Sequence, residues 1–136
     1  MDSLPEPEPT IERIRVAVCD DARAVKYFLR QVLEEDGDME VVSTTSSGAE
    51  ALGALAQCQA DILLLDLLLP DVPEPADLVA TIRERWPAMA ILLMSNMPSS
   101  QLEKEATRLA TDGWTPKANK PAQLRISVRE IIAARP

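Results

Sequence analysis

Ile62-Leu63-Leu64-Leu65-Asp66 is the stretch that decides the fold. Four apolar residues in a row, without the alternation of a half-exposed strand, describe a strand covered on both faces, as in a parallel sheet between helices. Asp66 ends that run with a charge. The same pattern recurs on either side of it: residues 14–19 lead into Asp20-Asp21, Ile91-Leu92-Leu93-Met94 leads into Ser95, and a short strand over 113–115 precedes Lys117. A further strand is expected over 40–43.

Helical stripes fill the intervals. Val25, Phe28, Leu29, Val32 and Leu33 share one face of a helix that stops at Gly37. Ser47 and Glu50 have capping-box spacing ahead of Leu52, Leu55 and Ala56. Leu78, Val79, Ile82 and Trp86 make a third stripe. Ser100-Gln101-Leu102-Glu103 gives a second capping box before Leu102, Ala106, Leu109 and Ala110. Pro121 suits the first turn of a last helix carrying Leu124, Val128, Ile131 and Ile132. Five strand-helix units in alternation predict an α/β fold with a doubly wound, five-stranded parallel sheet and right-handed crossovers.

In such a sheet the residues just past the strands meet in one crevice. Asp20, Asp21, Asp66, Ser95 and Lys117 are therefore expected together. Crowded carboxylates need a cation, and Mg²⁺ suits a site of a few carboxylates plus water. A lysine beside them would bind phosphoryl oxygens, so the set points to phosphoryl transfer to an aspartate, where the protein supplies position and charge. Singly, each residue has an ordinary reading: a helix cap for Asp20 or Asp21, a strand end for Asp66, a turn for Ser95, a solvated charge for Lys117. Their occurrence in order at four strand ends carries the chemistry.

The 136 residues fit one domain with its own core. A net charge of -8 argues against direct nucleic-acid binding by this chain, and the lack of histidine excludes histidine catalysis within it. Cys19 and Cys58 lack metal-ligand spacing and read as small buried residues of a reducing, cytoplasmic setting. Residues 1–12 form an acidic tail punctuated by Pro5, Pro7 and Pro9, expected to be flexible and unlike a signal peptide. No apolar run approaches the roughly 20 residues of a membrane span.

Over residues 13–136 the chain resembles the receiver domain of two-component response regulators, which includes the single-domain chemotaxis regulators. Asp20 and Asp21 match the family's acidic pair, Asp66 its phosphoacceptor, Ser95 its Thr/Ser, Lys117 its lysine, and Pro70 the proline of its loop. Lys120-Pro121 imitates the family's Lys-Pro pair, but Gly113-Trp114 stands in the expected relation to Lys117. This run, with Pro121 and Leu124, resembles receivers fused to helix-turn-helix output domains, so the chain is either a stand-alone receiver or part of a longer regulator.

The resemblance implies a flavodoxin-like (βα)5 fold with strand order 2-1-3-4-5. It implies that Asp66 accepts a phosphoryl group from a histidine kinase, a phosphotransfer protein or a small acyl phosphate. Asp21, Asp66 and the Leu68 carbonyl would hold Mg²⁺, with Asp20 acting through water. Lys117 would bind a phosphate oxygen, while Ser95 and Trp114 would be the switch pair. Catalysis would be limited to the chain's own phosphorylation and dephosphorylation. Output would pass through the fourth helix, fifth strand and fifth helix to a downstream protein or fused domain. A homodimer there is left open, since Leu102 and Leu124 suit core packing equally well.

Two departures stand out. Asn96 is larger than the small residue the family favours after its Thr/Ser, and loop 67–75 is apolar and proline-rich without glycine. They leave room for an alternative, a pseudo-receiver that binds proteins without phosphorylation. Other enzymes fit worse: adjacent aspartates are not the Asp-x-Asp of haloacid-dehalogenase-like phosphatases, and there is no Gly-x-x-x-x-Gly-Lys-Ser/Thr loop for a nucleotide hydrolase.

Overall fold

The computed structural model describes residues 12–135. The expectation of a flexible tail over residues 1–12 falls, apart from exposed Glu12, outside that range. The strands are β1 (Ile14–Cys19), β2 (Met39–Thr45), β3 (Ile62–Asp66), β4 (Ala90–Ser95) and β5 (Gly113–Pro116), alternating with α1 (Arg23–Glu34), α2 (Gly48–Gln57), α3 (Pro75–Arg85), α4 (Ser99–Leu109) and α5 (Pro121–Ala133). All strand pairs are parallel, in the order β2-β1-β3-β4-β5. This is the flavodoxin-like, doubly wound arrangement.

The period of two along each strand divides the core. Ile62 and Leu64 of β3, Leu92 and Met94 of β4, and Val16 and Val18 of β1 join Leu29, Val32 and Leu33 of α1 and Leu124 and Val128 of α5. Leu63, Leu65, Ile91, Leu93, Ala17 and Cys19 join α2, α3 and α4 on the other side. Every residue of β3 and β4 is buried, as an unalternating apolar run requires. A register shift between Val16 and Ala17 leaves Val42 of β2 unmatched, and β2 runs past the expected 40–43 at both ends, pairing Met39, Thr44 and Thr45 with β1.

Several helical details differ from expectation. Phe28 is 46% exposed, so the buried stripe of α1 narrows to Leu29, Val32 and Leu33. α1 ends at Glu34, and Gly37 follows with φ +80°, donating its N–H to Glu34 O at 3.2 Å. The Ser47–Glu50 cap forms, Glu50 N–H donating to Ser47 Oγ at 3.1 Å, but Ala51 is buried where Ala56 was expected. The second capping box does not form. Pro98 precedes α4 and no side chain caps it, because the helix begins at Ser99 and Ser100 already lies in its first turn. Ala110, expected on the buried stripe, is exposed and ends α4 with φ 55°. Cys58 is only partly buried.

α5 is tied to the end of α1 by charge. Arg125 reaches Glu35 at 3.1 Å and Asp36 at 3.2 Å, and Arg129 reaches Asp36 and Asp38 at 2.7 Å each. The Arg129 guanidinium, donating to Asp38, holds that carboxyl below the usual range. No helix of the described residues is long and apolar enough to cross a membrane.

Candidate functional site

Strand ends deliver the polar residues to one edge. Asp20 follows β1 with its N–H still donating to Thr45 O at 3.0 Å, so the sheet itself fixes the residue. It is fully buried. Its Oδ1 accepts the Ala22 N–H at 2.8 Å, which turns the chain into α1. Its Oδ2 lies 2.6 Å from Lys117 Nζ. That contact is an ion pair without hydrogen-bond alignment, leaving the buried oxygen without a directed donor.

Asp66 ends β3, and the next N–H, of Leu67, continues the ladder to Met94 O at 2.9 Å. Asp66 Oδ1 accepts the Leu68 N–H at 3.1 Å, while Oδ2 lies 3.1 Å from Lys117 Nζ. Burial pushes the Asp66 carboxyl above its ordinary pKa; the Leu68 N–H and Lys117 oppose this without cancelling it, and the Asp20 charge adds to it. For Lys117, burial works against the ammonium, yet Asp20 and Asp66 outweigh it and hold its pKa above the usual lysine value. Exposed Asp21 completes the group: one ligand atom from each of Asp20, Asp21 and Asp66 lies within 4.8 Å of the others.

Lys117 is positioned by its backbone, whose N–H donates to Ser95 O at 3.0 Å. Lys120 is exposed at the start of α5 and makes no ion pair with the cluster. Ser95 is buried, and its Oγ accepts the Met97 N–H at 3.1 Å, an interaction within its own loop. Trp114 is half-buried against the core on the α2, α3 and α4 side. Asn96 is exposed. Of the three leucines in loop 67–75, Leu67 and Leu69 are buried and Leu68 is open to solvent, 67% exposed.

The residues fit a hard divalent cation. Three carboxylates face a single ammonium, and the Asp20 oxygen lacking a directed donor is an acceptor available to a metal-bound water. Hard oxygen donors, without thiolate or imidazole among them, favour Mg²⁺ over softer metals. One residue bearing on the site was not singled out from sequence: Asp71, whose carboxylate receives the Gly48 and Ala49 N–H groups of α2 at 2.9 and 3.1 Å. Its position directly after Pro70 marks a turn and nothing more.

Known proteins carry the same architecture. The chain is 28% identical over 120 residues to the Oxygen regulatory protein NreC of Staphylococcus aureus, a match covering 87% of this chain and 54% of that protein. It thus spans about half the length of the curated relatives it matches. A two-component response regulator of the LuxR family from Aurantimonas sp. superimposes with a TM-score of 0.81 at 26% identity, covering 91% of this chain and 88% of that one. The REC domain of AraT, a response regulator from Geobacillus stearothermophilus, gives 0.75 at 26% identity, over 88% and 92%. The family model described as the response regulator receiver domain matches residues 16–129, most of the chain, so the chain belongs to the receiver family of two-component response regulators.

Proposed function

We propose that Asp66 is the phosphoacceptor of this receiver and that its donor is a phosphohistidine on a histidine kinase or phosphotransfer protein. A carboxylate oxygen of Asp66 bonds to phosphorus as the P–N bond to the donor histidine breaks, the electron pair staying on that nitrogen. Asp21, Asp66 and the Leu68 carbonyl would hold Mg²⁺, with Asp20 acting through a bound water. When bound, the ion neutralises phosphoryl oxygens and orients them. Lys117 takes a further oxygen of the phosphoryl group. Ser95 releases Met97 N–H to bond another oxygen, and Trp114 shifts with it.

The observation that carries this reading is Lys117 Nζ, 2.6 Å from Asp20 Oδ2 and 3.1 Å from Asp66 Oδ2, with Asp21 beside them. A phosphorylation-independent pseudo-receiver would not need that convergence. Catalysis stays confined to the chain's own phosphorylation and dephosphorylation. The output surface is α4, β5 and α5, and it serves a downstream protein, a fused domain or a second copy. The free thiols of Cys19 and Cys58 support a cytoplasmic setting.

Incubation with an acyl phosphate and Mg²⁺, followed by intact mass measurement, tests the proposal. The wild-type chain is expected to gain one phosphoryl group only with Mg²⁺, with a change in tryptophan fluorescence, and Asp66→Asn to gain none. Labelling that persists in Asp66→Asn would refute the assignment. No labelling of the wild type by either an acyl phosphate or a phosphorylated kinase would move the chain to the pseudo-receiver class.

A further inference from the structure

Loop 67–75 carries the Leu68 carbonyl and contains no glycine. It is held at several points. Asp66 Oδ1 accepts the Leu68 N–H, and Val72 N–H closes a turn onto Leu69 O at 3.1 Å. Asp71 then spans to another element: its Oδ1 accepts the Gly48 N–H at 2.9 Å and its Oδ2 the Ala49 N–H at 3.1 Å, at the start of α2. Those two N–H groups have no partner within their own helix, and two carboxylate oxygens satisfy both. They hold the Asp71 carboxyl below its ordinary range.

The seat is close-fitting as well as polar. A Cβ on Gly48 would stand 2.6 Å from Val72 Cγ2, so any larger residue at 48 would force Val72 and its loop to shift. Leu67 and Leu69 are anchored in the core on the same side as Ala51 and Leu55 of α2. A metal ligand on an unrestrained loop must be ordered when the ion binds, at a cost in affinity. Here the loop is ordered beforehand by a contact 23 residues away in sequence.

We propose that Asp71, seated on the first N–H groups of α2, is a positioning residue that holds loop 67–75 so that Asp66 and the Leu68 carbonyl present a preformed part of the Mg²⁺ site. The inference rests on the receiver reading above. Asp71 does not touch the ion; it acts through the loop. Gly48 and Val72 are the steric half of the same device.

Mg²⁺ affinity of the purified full chain, measured by calorimetry well below the melting temperature, tests it beside melting curves recorded in chelator. Asp71→Ala is expected to weaken Mg²⁺ binding about tenfold, the low end for residues that orient metal ligands. Asp71→Asn, left with one acceptor oxygen, falls between it and the wild type. Gly48→Ala weakens binding by forcing the loop off α2, and adding Val72→Ala restores it by removing the obstructing methyl. A purely structural role would lower the melting temperature and leave the affinity of the folded protein unchanged, and that result overturns the proposal. So does failure of Val72→Ala to rescue Gly48→Ala, which decides the matter even where Asp71→Ala does not fold. A wild-type chain that binds no Mg²⁺ removes the receiver reading and this inference together, whereas Mg²⁺ binding abolished by Asp21→Asn but untouched by Asp71→Ala removes the inference alone.

Discussion

Two groups of three acids in this molecule meet different surroundings. At the carboxyl edge of the sheet, Asp20, Asp21 and Asp66 converge, and one ammonium, Lys117, pairs with Asp20 and Asp66. At the seam between α1 and α5, Glu35, Asp36 and Asp38 face two guanidinium groups, Arg125 and Arg129. Asp66 is pushed above the ordinary carboxylate range by burial, while Asp38 is pulled below it by Arg129. The number of acids does not decide the outcome; burial and the supply of cations do. The seam sets two cations of the chain against its three acids, whereas the edge sets one, which leaves it the more negative and open to a further positive charge.

The comparison breaks most visibly at the cations. Lys117→Ala strands two buried carboxylates and is expected to cost about 3 kcal/mol at neutral pH without metal, read from urea denaturation. Arg129→Ala, at an exposed seam, should cost far less. Equal losses would mean the two clusters are alike after all. Mg²⁺ sharpens the contrast: at about one hundred times its dissociation constant it should stabilise the wild type by about 2.7 kcal/mol, and Asp66→Asn far less.

A smaller effect of opposite sign follows at Asp66 itself. Without metal, Asp66→Asn removes a poorly compensated buried charge and should raise stability by about 1 kcal/mol, a rise of a few degrees in melting temperature. Asp38→Asn at the seam should lower it.

Acid separates the groups last. Asp38 and Asp71 have depressed pKa values, so the stability they contribute is present above the unfolded carboxylate pKa and is lost as pH falls through their folded values. Asp66, raised, works the other way: its contribution is complete below the unfolded pKa and is lost as pH rises through the folded one. Melting temperatures below about pH 5 should therefore fall less steeply in Asp38→Asn than in the wild type. An unchanged acid limb would count against the Arg129 pairing.

Much of this architecture was legible because it is local. The run Ile62-Leu63-Leu64-Leu65 carries its double burial in its own composition, and the polar residue after each strand follows from sheet geometry. The errors were local too. Ser100-Gln101-Leu102-Glu103 has capping-box spacing, but Pro98 starts the helix earlier and places Ser100 inside the first turn. Phe28 obeys the helical period yet stays 46% exposed, outside the buried stripe of Leu29, Val32 and Leu33. What sequence could not show are contacts between distant segments: Asp71 onto Gly48, or Arg129 onto Asp38 across 91 residues. Neither pairing leaves a periodic trace.

Ala110 has a consequence of a different kind. It holds φ 55°, a conformation that costs a residue with a Cβ about 1 kcal/mol and glycine almost nothing. Arg83 fastens it there, donating to Ala110 O at 3.0 Å and pairing with Asp112 at 2.9 Å. The end of α4 is thus a tensioned joint, kept closed by a side chain from the neighbouring helix. Ala110→Gly should relax it and raise the melting temperature by a few degrees without touching the acidic edge, which makes this joint the place to toughen the scaffold for engineering.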